Sequence, residues 1–245
     1  MYNNFSKIKK EMKFLKKIAT DTEAVQKEHR VVYYNNSNQK ICYTEPFKWV
    51  DLGLPSGTKW ANMNLGAVTE ADYGDYYMWG STTVNNDTTC DYANCPYCTG
   101  TYNSFTKYNK SDGKTTLEST DDAATQILGG TAHIPTKDEI QELLNQTRKT
   151  TVSSYNGTGV RGVKYTSIVN GNSIFIPSSG SRVDNTNSNG GSSGRIWSSS
   201  LDNSNTTDFS NAYYLESHTT WASEIRSLGR HYGYAIRPVL TPQTT

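Results

Sequence analysis

Apolar positions follow a helical period at the start of the chain and a strand period towards its end. Phe5, Ile8, Met12, Leu15, Ala19 and Thr22 keep a three-four spacing that sets them on one helical seam, with lysines around the other faces. Only two heptads are regular, so this helix needs partner copies or a docking surface; a solvated, frayed basic terminus is the plainer alternative. Residues 33–40 (YYNNSNQK) read as a linker.

The body begins near Pro46. Trp49, Val50 and Leu52 lead into Pro55-Ser56-Gly57 and return around Trp60 to Leu65, a strand, turn and strand. A short aromatic segment, residues 75–81, is followed by a polar excursion over 82–116. Two helices come next. One has Ser119 or Thr120 as N-cap, Asp121 and Asp122 in its first turn and Gly129-Gly130 as its stop; the other opens on the capping box Thr136 to Glu139 and sets Ile140, Leu143 and Leu144 on one face. From about 160 the segments GVKYTSIV, NSIFIPSSG, RIWSSS, NAYYLES and YGYAIRPVL read as short strands between Gly/Asn/Ser loops. In the last, residues 232–240, Tyr232, Tyr234 and Ile236 alternate with Gly233, Ala235 and Arg237, the pattern of a half-buried strand.

At 245 residues the chain allows one sizeable globular domain plus an appendage, divided here as an arm over 1–40 and a body over 41–245. The composition, 34% hydrophobic with 17 tyrosines, fits a loop-rich α+β fold with an aromatic core. No run approaches membrane-spanning length, so membrane insertion is not expected. The net charge of +1 hides an asymmetry. Lys7, Lys9, Lys10, Lys13, Lys16, Lys17, Lys27 and Arg30 face only four acids in the first thirty residues, whereas the remainder is mildly acidic. Lysines interrupt every apolar stretch of the arm, so no secretory signal is read there.

Candidate chemistry is sparse. Cys95-Pro96-Tyr97-Cys98 has a redox look, but no strand precedes it and no periodic helix follows. Cys90, Cys95 and Cys98 could supply three thiolates to zinc, with Cys42 or His133 as a fourth ligand; free thiols or one local disulfide are the simpler reading. Asp121 and Asp122 are adjacent on a helix and point in different directions, which suits capping better than paired acid and base work. His29, His133, His218 and His231 lack metal-ligand spacing, His133 reads as structural, and no phosphate-binding Gly-rich loop joins a strand to a helix. An enzyme and a cofactor are therefore not expected.

Taken in order, WVDLGLPSGTKWANMNLGA, YMWGS, FTKYN, LESTDDAA, GGTAHIPTKDEIQELL, GNSIFIPSSGSR, IWSSS and YGYAIRPV resemble the Fibrobacter succinogenes major paralogous domain family across roughly residues 46–240. That resemblance implies a C-type-lectin-like fold: two helices, short twisted antiparallel sheets, paired terminal strands, and long surface loops over 81–116 and 178–231. YGYAIRPVL should then lie beside FKWVDLGL. Formylglycine-generating enzymes are related in fold but depend on cysteines near the domain end, and no cysteine follows Cys98. The Glu-Pro-Asn, Gln-Pro-Asp and Trp-Asn-Asp signatures of calcium-dependent lectins are also missing from the sequence.

The full-chain layout is similar to head-fibre or capsid-decorating proteins of crAss-like Bacteroides phages. It implies a non-enzymatic virion surface protein made in host cytoplasm, anchored to capsid or other virion proteins through Phe5, Ile8, Met12, Leu15, Lys9, Lys10, Lys13, Lys16 and Lys17, and trimeric. A secreted or cell-surface bacterial adhesin is the alternative, and the short arm without interleaved aromatics argues against nucleic acid. For glycan or host-surface binding, planar aromatics and adaptable polar groups single out Arg182, Asn185, Asn187, Arg195, Tyr213, Trp221 and Arg226. Trp197 has the same chemistry but reads as a core residue, and Trp221 is the better exposed contact.

Overall fold

The computed structural model describes residues 32–35, 40–43, 47–205 and 207–242. The helical arm seam, with Phe5, Ile8, Met12, Leu15 and its lysines, lies outside the described residues. The chain divides into two units, 1–47 and 48–245. In the first, β1 (Val32–Asn35) pairs antiparallel with β2 (Lys40–Tyr43), Tyr33 opposite Cys42 and Tyr34 opposite Ile41. This corrects the linker reading: Val, Tyr and Ile favour extended backbone, and the Asn/Ser-rich stretch between them has turn composition.

The second unit is α+β, built mostly of small antiparallel sheets with two short helices. β3 (Trp49–Val50) and β4 (Lys59–Ala61) form the expected strand, turn and strand, and the Gly57 N–H closes the turn on the Leu54 carbonyl at 2.8 Å. β5 (Tyr76–Tyr77) is the aromatic segment. A 3-10 turn, Ser119–Asp121, then precedes α1 (Ala123–Leu128). Asp122, not Ser119 or Thr120, is the N-cap: its carboxylate accepts from the Thr125 N–H at 2.9 Å and from the Ile134 N–H at 2.8 Å. A carboxylate that satisfies two buried donors out-competes a hydroxyl one turn earlier.

β6 (Ala132–His133) leads to α2 (Lys137–Gln146), which carries the expected capping box: Glu139 N–H donates to Thr136 Oγ1 at 3.2 Å and Thr136 N–H to Glu139 Oε2 at 2.8 Å. β7 (Thr147–Val152), β8 (Gly162–Ser167) and β9 (Ser173–Pro177) form a three-stranded meander. β10 (Ser181–Val183) and β11 (Thr186–Ser188) form a hairpin within the 178–194 loop. β12 (Ser193–Leu201), β13 (Asn211–His218) and β14 (Glu224–Gly229) follow, and β15 (Tyr234–Ala235) and β16 (Val239–Leu240) end the fold.

The largest sheet has the order β14-β13-β12-β15-β5, with β12 and β15 parallel. Much of the stretch expected as surface loop, 178–231, is thus core sheet. Its alternation buries both faces: Trp197, Tyr214 and Tyr234 pack with Tyr77, Trp79 and Ala123 on one side, while Ile196, Leu215 and Ala235 pack with Ile140, Leu143, Val163 and Ile176 on the other.

The closing run is likewise buried on both faces rather than one, and it serves two sheets. β15 joins the five-stranded sheet; β16 lies between β4 and β6 in the second, ordered β3-β4-β16-β6. The last strand therefore pairs with Lys59–Ala61, not with the segment beginning Phe47, because the return strand of the first hairpin occupies the place between them. Between β15 and β16 sits Arg237, fully buried, donating to Asn64 Oδ1 at 2.8 Å, the Ala61 carbonyl at 3.1 Å and the Phe175 carbonyl at 2.8 Å. Burial pushes its pKa down to about 9. Replacing Arg237 with Met orphans three buried acceptors, offset in part by removing a buried charge. The expected loss is about 3 kcal/mol of unfolding free energy in urea, and a loss within error of zero would contradict this role.

His133 is structural, as expected: Nε2 lies 3.1 Å from both Glu139 oxygens and Nδ1 2.9 Å from the Thr131 carbonyl. Burial lowers the His133 pKa, but the Glu139 hydrogen bond and charge outweigh it, so the net shift is upward from 6.5. Burial likewise raises Glu139, and His133 with the Thr136 bonds brings it below 4.5. The raised histidine stabilises the fold below 6.5 and loses this effect as pH rises through its folded value; the lowered glutamate stabilises above 4.5 and loses it as pH falls through its own. The Tm difference between the wild type and Glu139→Gln should therefore be largest between pH 4.5 and 6.5, and a difference flat across pH would refute the pairing.

Candidate binding surface

The turn between β13 and β14 presents Trp221, a residue 70% exposed. Its position is nevertheless defined. The His218 ring stacks on it at 4.3 Å and 25°, and His218 Nδ1 accepts from the N–H groups of Thr220 at 3.0 Å and Trp221 at 3.1 Å. Buried Thr219 donates N–H and Oγ1 to the Ser192 carbonyl at 3.0 and 2.9 Å, and Thr151 Oγ1 donates to the Thr219 carbonyl at 2.6 Å. Lys149 Nζ bonds the Trp221 carbonyl. The result is a flat apolar plate on a polar, well-tied turn, the geometry on which a ring can stack. His218 and Lys149 were not singled out in the sequence; the His-Thr-Thr-Trp spacing is the one local signal for the first, and none exists for Lys149.

The other expected binding residues do not form one group. Arg195 and Arg226 converge on buried Glu216: Arg195 Nη2 lies 3.2 Å from Oε1 and Arg226 Nε 2.9 Å from Oε2, while Arg226 Nη2 also donates to Glu224 at 2.5 Å. Burial lowers the Arg195 pKa, and the Tyr234, Tyr214 and Glu216 charges outweigh it, so the guanidinium stays charged. Tyr213 projects to the opposite face of β13, where Lys137 Nζ sits 4.0 Å above its ring. On the β10–β11 hairpin Arg182 Nη1 donates to Asn187 Oδ1 at 3.1 Å, and Asn185 Oδ1 accepts from Thr89 Oγ1 at 2.9 Å. Trp197 is buried, its Nε1 donating to the Tyr77 carbonyl at 2.7 Å.

Asp121 and Asp122 diverge, as their adjacency implies. Asp121 gathers Tyr97 Oη at 2.6 Å, Lys107 Nζ at 2.5 Å and Tyr108 Oη, which ties the irregular 97–108 segment to the 3-10 turn ahead of α1. This hub is structural and was not foreseen, because its members are separated in sequence and lie outside regular elements.

Among the described residues, no group of three or more His, Cys, Asp or Glu is placed to hold a metal ion, so Cys90, Cys95 and Cys98 do not converge as a zinc site. All three are free thiols. Cys90 is packed under Gly233, where an added Cβ would lie 2.9 Å from its sulfur. Burial raises the Cys90 pKa and pushes that of Cys95 up to about 12, so both stay protonated and unreactive. No helix among the described residues is long and apolar enough to cross a membrane. No family model, curated protein or solved structure matches the chain.

In a Cys42→Ser background, Cys98, the half-buried member, should react first with a disulfide reagent, whereas Cys90 and Cys95 should react only after denaturation. Three thiols of equal, rapid reactivity in the native protein would contradict this burial order.

Proposed function

We propose that this protein is a non-enzymatic adhesion module of C-type-lectin-like type, carried on the surface of a phage virion as a head fibre or capsid decoration. The N-terminal arm docks on capsid or other virion proteins and assembles a homotrimer, and the body meets host-surface or glycan ligands. The observation that carries the reading is Trp221, a large aromatic left in water on a turn whose backbone is held by His218, Lys149, Thr151 and Ser192. Fully burying such a side chain is worth about 2–3 kcal/mol, so leaving it exposed forgoes stability that a ligand can recover on binding. The small α+β sheets that carry long irregular loops support the lectin-like assignment, and the resemblance to the Fibrobacter succinogenes major paralogous domain family supports the surface setting.

Binding of the full chain and of Trp221→Ala to a glycan array and to host cell envelopes tests the adhesion half. The alanine variant should lose about 2 kcal/mol, roughly thirtyfold in affinity, at unchanged Tm; undiminished binding would remove Trp221 from the contact. Gold-labelled antibody against the body should decorate capsids of intact particles. Label confined to a bacterial envelope would favour the secreted adhesin instead.

A further inference from the structure

Two loops far apart in sequence, 103–111 and 207–209, face one another across a cavity of about 420 Å³ lined by Asn103, Phe105, Lys110, Ser111, Thr207 and Phe209 together with Asn109. The volume falls in the range of small-molecule sites. Its walls are pre-formed. Asn103 Nδ2 donates to the Thr207 carbonyl at 2.8 Å and its Oδ1 accepts from the Phe209 N–H at 3.0 Å, which fastens one loop to the other. Asn109 Nδ2 donates to the Phe105 carbonyl at 2.8 Å and its Oδ1 accepts from the Ser111 N–H at 2.7 Å.

Directly behind the Phe105 ring lies Arg230, fully buried. Its Nη1 donates to the carbonyls of Lys107, Tyr108 and Phe209 at 3.2–3.3 Å, its guanidinium carbon sits 3.9 Å from the Phe105 ring centroid, and its Nε has no partner. Among the described residues, no carboxylate bonds this cation. Its N–H groups hold the carbonyls of both loops from behind, which fixes the back of the cleft. Lys110 on the rim is exposed and makes no ion pair or hydrogen bond with any described residue.

The nearest acids are hydrogen-bonded away from the cavity, and the Asp112 charge acts on Arg230. Asp112 is turned onto the N–H groups of Tyr108, Asn109 and Lys114, and Asp208 onto Ser210 and the Tyr102 hydroxyl; neither lines the cavity. The cleft thus combines a free ammonium, hydroxyl and amide edges, and aromatic carbon. We propose that it binds a carboxylate-bearing sugar, a hexuronate or sialate unit, with the carboxylate at Lys110 and Ser111 and the C–H face of the ring towards Phe209. This site is separate from the Trp221 turn, so the two readings have separate tests.

The test is titration of the isotope-labelled full chain with glucuronate, N-acetylneuraminate, glucose and acetate, read by amide chemical shifts. At least one acidic sugar should shift the resonances of 103–111 and 207–209 with saturation, and neither glucose nor acetate should do so. Lys110→Glu, at an exposed position, should weaken that response about tenfold or more, and Trp221→Ala should leave it unchanged. Silence towards both acidic sugars, an equal response to glucose or acetate, or a Lys110→Glu variant that binds like the wild type would overturn the proposal. Loss of the response in Trp221→Ala would place the ligand at the turn and overturn it equally.

Discussion

The fold depends on hydrogen-bond donors delivered to carbonyls that no regular strand satisfies. Arg237 is the clearest case: it sits where the chain leaves one sheet for another, a place at which neither ladder continues, and its guanidinium bonds Ala61 and Asn64 in one segment and Phe175 in another. Burying a cation is costly, and the depressed pKa records that burial outweighs the opposing Glu70 charge. The fork geometry of arginine offsets it by reaching several acceptors at once, which a lysine ammonium on a single stem does less well. Arg230 repeats the device under the 105–108 and 209 segments.

The same logic explains how a chain so rich in Asn, Ser and Thr holds long irregular segments in place. Asp112 receives three backbone N–H groups, Asn85 receives the Met78 N–H, and Asn103 ties its loop to Phe209. Side chains of this kind supply the partners that a ladder supplies elsewhere. Around a sheet buried on both faces, loops ordered in this way can carry exposed groups such as Trp221 and Lys110 without drawing on the core for their geometry.

Local signals were legible wherever a few neighbouring residues decide the outcome. The Thr136 to Glu139 capping box, the turn closed by Gly57, the strands read at RIWSSS and NAYYLES, and the exposure of Trp221 against the burial of Trp197 all follow from near neighbours. The strands Thr147–Val152 and Glu224–Gly229 were missed, because both lie at sheet edges, are rich in charged and hydroxyl residues and lack a continuous apolar face. The N-cap of α1 shifted to Asp122 because the second donor, the Ile134 N–H, arrives from twelve residues away.

By itself the sequence determined the class of the body, the two helices, most of the buried strands and the absence of any membrane-length apolar run, since period, capping and turn chemistry are short-range properties. Only the tertiary structure decided which strand the C-terminal run pairs with, that Arg195 and Arg226 share Glu216 while Tyr213 faces away, and that Arg230 backs a cleft between two remote loops. These are outcomes of sheet order and of which carbonyls remain unpaired once the sheets have closed, and no window of neighbouring residues contains that information.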